Sequence, residues 1–170
     1  MKIRSGFVSN SSSSSFIVSL NFKSKDELRK ILFGSDEVYT NPYVWDDESI
    51  KDWPIEDVVD IVYNDLMDGK IGVEEVLNEY CRGYTEVTDQ VDQEIPYNYS
   101  QSESYEERRQ RYDKIKERTR ELSSKVVDQF IKENPGDLYE VSYSDDSTLG
   151  SALEHGSLWN RFPHLRISHH

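Results

Sequence analysis

Every histidine of the chain lies in its last sixteen residues, as His155, His164, His169 and His170. Histidine exchanges protons near neutral pH and ligates transition metals through a neutral ring nitrogen. Glu154, Arg166 and the pair Asp145 and Asp146 stand close by in sequence. Two chemistries suit this set. In the first, Glu154, His155, His164 and His170 converge on a divalent metal ion. Neither His-Glu-x-x-His nor paired Cys-x-x-Cys occurs, so that expectation rests on proximity along the chain. In the second, His155 or His164 is a general acid or base while Arg166 and Arg4 hold a phosphoryl or carboxylate group. Asp145, Asp146 or Glu154 would then orient the imidazole. Against both stands a plainer role, with His155 and His164 capping turns and His169 and His170 exposed.

The second chemistry needs an anion cradle, and the beginning of the sequence offers one. Residues 2–18 run Lys-Ile-Arg-Ser-Gly-Phe-Val-Ser-Asn-Ser-Ser-Ser-Ser-Ser-Phe-Ile-Val, a serine run held between apolar brackets. Ordinary serine linkers lack such brackets. Gly6 and Asn10 tolerate positive φ, and a run of small residues can turn successive N–H groups inward as an anion-binding nest. The candidate ligand-binding residues are therefore Arg4, Asn10, Ser12, Ser13 and Arg166. The Gly-Lys-Ser/Thr ending of a P-loop is missing, so nothing supports a nucleotide triphosphatase of that type. The alternative is that the hydroxyls satisfy a tight turn and buried backbone groups. The string Lys-x-Arg-x-Gly-Phe-Val-Ser-Asn-Ser-Ser-Ser-Ser-Ser-Phe resembles the opening of a group of small, mostly uncharacterised bacteriophage and bacterial proteins. The resemblance covers about a tenth of the chain. It implies provenance, a phage or a bacterial genome carrying phage-like genes, and assigns no catalytic residue.

Something must hold the two ends together. Phe16, Val18, Leu20 and Phe22 alternate with Ser19 and Asn21, which is strand periodicity. Tyr139, Val141 and Tyr143 repeat it, and residues 164–169 set Leu165 and Ile167 against His164, Arg166 and Ser168. The spacing predicts a small antiparallel sheet with one face packed and one polar. Helices fill the middle. Ser24 and Glu27 form a capping box ahead of Leu28, Ile31 and Leu32. Pro54 suits the first turn of a helix carrying Ile55, Val58, Val59, Val62 and Leu66, closed by Gly69. Val73, Val76, Leu77, Tyr80 and Cys81 form another stripe, ending at Gly83. A long helix is predicted from about Ser104 to Glu133, buried along Ile115, Leu122, Val126 and Phe130. Its first half offers only Tyr105 and Tyr112. Residues 84–103 show neither period and read as a long loop. The expectation is a single α+β domain over residues 1–170, with N- and C-terminal strands in one sheet packed against a helical middle. The Ser-rich start and the His-rich end then become neighbours.

Formal charge is −13, which disfavours sequence-blind binding to nucleic acid or to anionic membranes. The charge is unevenly laid out. Residues 36–95 carry eighteen acids against three bases, a balance of −15. Residues 108–125 carry eight bases against three acids, a balance of +5. That segment is either a solvated helix with pairs such as Glu117–Arg120 and Glu121–Lys125, or a basic ridge meeting acids on itself, a second copy or a partner. Cys81 is the single cysteine and reads as a small buried hydrophobe, which fits a reducing, cytoplasmic setting. No apolar run is long enough to span a bilayer, and the serine run makes a poor targeting helix.

Two functions remain. The first is a small acidic cytoplasmic accessory protein of phage type that binds a protein partner, with homo-oligomerisation through the 104–133 helix as one form. The second is a phosphate or nucleotide ligand-binding protein, or a hydrolase, built where the Ser loop meets the histidines.

Overall fold

In the computed structural model, residues 13–40, 52–96, 103–144, 148–155 and 157–169 are described. Strand β1 (Ser13–Leu20) leads into α1 (Lys25–Phe33), the short pair β2 (Val38–Thr40) and β3 (Asp52–Pro54), and α2 (Ile55–Asp68). There follow β4 (Lys70–Ile71), α3 (Val73–Arg82), α4 (Glu86–Glu94) and the long α5 (Tyr105–Glu133). The chain closes with β5 (Asp137–Ser144), α6 (Thr148–Glu154), α7 (Ser157–Asn160) and β6 (His164–Ser168). The class is α+β, as expected, with an antiparallel sheet ordered β4-β5-β1-β6.

Among the described residues the first strand in sequence thus sits between the last two. Phe16 faces Val141 on one side and Arg166 on the other. Pairing starts inside the serine run, with Ser13 opposite Ser144 and Ser14 opposite both Tyr143 and Ser168.

The prediction of one packed and one polar face is overturned, because helices cover both. Phe16, Val18, Tyr139 and Val141 bury against Leu28, Val62, Leu153 and Trp159 of α1, α2, α6 and α7. Ile17, Leu138, Leu165 and Ile167 bury against Val76, Tyr80, Val87, Val127 and Phe130 of α3, α4 and α5. Ile17 is the reason: its side chain is fully enclosed on the face expected to be wet. A strand flanked on both sides and packed on both faces reads as a continuous apolar run, and Phe16-Ile17-Val18 is one.

The 84–103 loop is also corrected, since α4 occupies much of it. Thr88 Oγ1 accepts from the Thr85 N–H at 2.8 Å, which closes the start of the helix. Val87 and Val91, one turn apart, are then buried against the second core. Two apolar positions are too few to show a helical period among acids.

Other predicted caps are met or moved slightly. Ser24 accepts from the Glu27 N–H at 3.2 Å, while Glu27 accepts from Lys23 rather than Ser24. Pro54 stands just ahead of α2 and Ser104 just ahead of α5, the latter in a full capping box with Glu107. Gly69 and Gly83 allow close approach. A Cβ on Gly69 would lie 2.0 Å from the Glu140 carbonyl oxygen, and one on Gly83 would lie 1.8 Å from Ile167 Cγ2.

Helix α5 packs along half its length. Thr119, Ser123, Val127 and Phe130 are buried, whereas from Tyr105 to Glu117 all but Arg111 and Ile115 are exposed. The buried half is tied down by charge as well. Arg118 reaches Glu94 of α4 at 2.7 Å and Arg120 reaches Glu74 of α3 at 2.9 Å. The Glu121–Lys125 pair is present at 2.7 Å. Arg120 goes to Glu74 and Asn78 in place of Glu117, since a long helix packed on acidic neighbours offers its cations nearer partners across the interface. Cys81 is half-buried and lines a groove of about 620 Å³ shared with Thr88, Tyr112, Ile115 and Lys116.

Candidate functional site

The β1–β6 ladder brings the end of the serine run against the histidine end. Ser14 and Ser15 point to opposite faces of β1 and organise a polar group on each.

On the Phe16 face, Arg166 Nη2 donates to Ser14 Oγ at 3.1 Å, and Ser14 Oγ donates to Glu154 Oε1 at 3.2 Å. Glu154, at the end of α6, is 2% exposed. His155 Nε2 lies 3.9 Å from the other carboxylate oxygen. The Arg166 guanidinium carbon stands 5.7 Å from the Phe16 ring centroid. A hydroxyl thus spaces the cation from the buried carboxylate. His164 donates from Nδ1 to the Phe162 carbonyl at 3.0 Å, and its ring lies 5.6 Å from Phe16.

On the opposite face, Ser15 Oγ lies 2.7 Å from His169 Nε2 and 2.6 Å from Ser142 Oγ. By distance this matches a nucleophile and its base. Ser15, however, is fully buried and is hydrogen-bonded to a second serine as well. The group therefore acts as a polar cross-link between β5, β1 and the end of β6. It was not singled out from sequence, because the strand register that brings Ser15 to His169 is a long-range property.

The candidate residues divide as follows. Arg4, Asn10, Ser12 and His170 lie outside the described residues, as do Asp145 and Asp146. Ser13 opens β1, and its carbonyl accepts from the His169 N–H at 3.0 Å. Glu154 and His155 are neighbours, but His164 is turned to Phe162 and Phe16. Among the described residues no three His, Cys, Asp or Glu side chains gather into a metal-ligand set, and His170, the fourth member of the candidate set with Glu154, His155 and His164, lies outside them. Glu154, His155 and His164 all lie on the Phe16 side of the sheet, but His164 sits on β6 with its ring against Phe16, whereas Glu154 ends α6 and His155 follows it.

A further feature lies at the outer edge of β6. The N–H and C=O of Tyr84 pair with those of Ser168, both at 3.0 Å. Beyond this bridge opens a cleft of about 530 Å³, lined by Tyr80, Tyr84, Glu86, Asp89, His164 and Arg166 among others. Tyr84 donates to Asp89, which raises its phenol above the ordinary value. Tyr80 is pushed up to about 12 by burial first and by Glu86 second. Both phenols therefore remain neutral donors at physiological pH. No sequence signal marks Tyr84 or Tyr80 as lining a cleft, apart from Gly83 bringing this segment against Ile167.

Among the described residues no helix is long and apolar enough to cross a membrane. No protein-family model matches the chain, nor does any curated protein or solved structure.

Proposed function

We propose that this is a small acidic accessory protein, of the kind carried by phages and working in the host cytoplasm, that binds a partner protein through the first half of α5. One observation carries the reading. Tyr105, Tyr112, Thr119 and Val126 recur every seven residues, with Arg108, Ile115 and Leu122 offset by three. This line is covered by α3 and α4 in its second half, yet Tyr105 is 78% and Tyr112 66% exposed. A helical stripe at i, i+3 and i+7 is what a partner helix or groove reads. Tyrosine and arginine are the residues that most often dominate binding energy at interfaces.

Charge says what the partner offers. Arg109, Lys114 and Lys116 have no ionic partner among the described residues, while Arg118 and Arg120 are already tied to α4 and α3. The partner face is therefore apolar with carboxylates at its rim. A second copy is one such partner, because Glu106 and Glu107 precede Lys114 and Lys116, and antiparallel pairing brings unlike charges together. The test is affinity capture from bacterial lysate, with sedimentation velocity of the protein alone. Tyr105→Ala with Tyr112→Ala is expected to release the captured protein or the second copy, with the circular dichroism unchanged. Binding retained by that variant would count against the reading, as would a monomer that captures nothing.

A further inference from the structure

The ladder register decides which backbone groups of β6 face outward. His169 donates to Ser13, so that pair is hydrogen-bonded, and in an antiparallel ladder such pairs alternate. Ile167 opposite Ser15 and Leu165 opposite Ile17 therefore bond to β1. Ser168, Arg166 and His164, opposite Ser14, Phe16 and Val18, turn their N–H and C=O groups away from it. Tyr84 takes both groups of Ser168. The chain then leaves the sheet at Thr85 to begin α4. The next two outward rungs, Arg166 and His164, have no backbone partner among the described residues, and the 530 Å³ cleft runs beside them.

We propose that this edge accepts an extended peptide segment of another protein as an added antiparallel strand, in line with Tyr84. Strand addition draws affinity from main-chain bonds and specificity from alternate side chains. Residues opposite Arg166 and His164 fall on their side of the sheet, where Arg166 is exposed. A carboxylate therefore suits the position opposite Arg166, and also the one opposite His164, a diagonal neighbour within reach of the long guanidinium side chain. The residue between them falls on the side of Leu165 and Tyr80, toward Glu86 and Asp89, and a lysine or arginine suits it. The sought segment is thus acid, base, acid in an extended conformation. This surface is independent of α5, and either proposal stands without the other.

The test uses the full chain, ¹⁵N-labelled, and the peptide acetyl-Val-Glu-Lys-Glu-Val-amide. In the free protein the amides of Arg166 and His164 should exchange quickly with solvent, and those of Leu165 and Ile167 slowly. The peptide should shift the resonances of Tyr84, His164 and Arg166 in a saturable way. Charge-reversed acetyl-Val-Lys-Glu-Lys-Val-amide should bind about tenfold more weakly or less. N-methylation of the glutamate facing Arg166 should abolish binding, because it removes a ladder donor while keeping every charge. Slow exchange at Arg166 and His164 in the free protein would mean that the edge is already covered, and would overturn the proposal. So would equal binding of the N-methylated peptide, or the same shifts produced by sodium acetate alone, which would mark a simple anion contact.

Discussion

Ser14 and Glu154 are 140 positions apart, and the serine hydroxyl donates to the buried carboxylate at 3.2 Å while accepting from Arg166. A carboxylate removed from water depends on the few donors it has. Ser14→Ala deletes one of them without creating much space. The expected loss is about 1–3 kcal/mol in urea unfolding, the cost of leaving a buried polar group unpaired. Ser14→Ala with Glu154→Leu should be closer to the parent than Ser14→Ala alone, because the group needing a donor is gone. A double variant as unstable as the sum of its parts would refute this account.

Ile17 tests the two-sided sheet. If the face opposite Phe16 were wet, Ile17→Ala would cost little. Since Ile17 is fully enclosed between Leu138, Leu165 and the α3–α5 layer, the expected loss is about 2–5 kcal/mol by thermal or urea unfolding. Ser19→Ala, on the same face but half-buried and donating to the Asn134 carbonyl, should cost less.

The contrast between these two positions shows what could be read from the chain. Helices α2, α3 and α5 were legible because each carries several apolar residues at helical spacing between a cap and a glycine or proline. The central place of β1 was not legible, because Ile17 belongs to one face by alternation and its partners are more than a hundred residues away. Helix α4 was hidden because only Val87 and Val91 face the core. At the site, the meeting of serines and histidines followed from pairing the end strands. The identities did not: His169 engages Ser15, Glu154 lies buried under Ser14, and Tyr84 guards the β6 edge. Each depends on register or on a helix packing over the sheet, which one-dimensional periodicity does not carry.

Acid stability should report the ties between α4 and α5. Glu94 is held below the ordinary carboxylate value first by Arg118 and then by Gln90, and Glu121 first by Lys125 and then by Arg118. Their folded values are depressed, so the stability they contribute is present above the unfolded value of 4.5 and is lost as pH falls through the folded values. Arg118→Ala should therefore be less stable than the parent at neutral pH. The two unfolding curves should approach each other as pH drops from about 5 toward 2. A difference that stays constant across that range would show that Arg118 acts through packing alone.

The sandwiching of β1 between β5 and β6 also sets an order of events as the chain is made. Of the described strands β1 leaves the ribosome first, and its partners appear more than a hundred residues later. Until then the segment Phe16-Ile17-Val18 has no strand to pair with, while α1, α2 and α3 can already coil from local contacts. Closing so long a loop is slow, and exposed apolar strands invite association with other chains. Completion of the sheet accordingly waits for β5 and β6, and its yield in a cell should depend on whatever shields those few residues in the meantime.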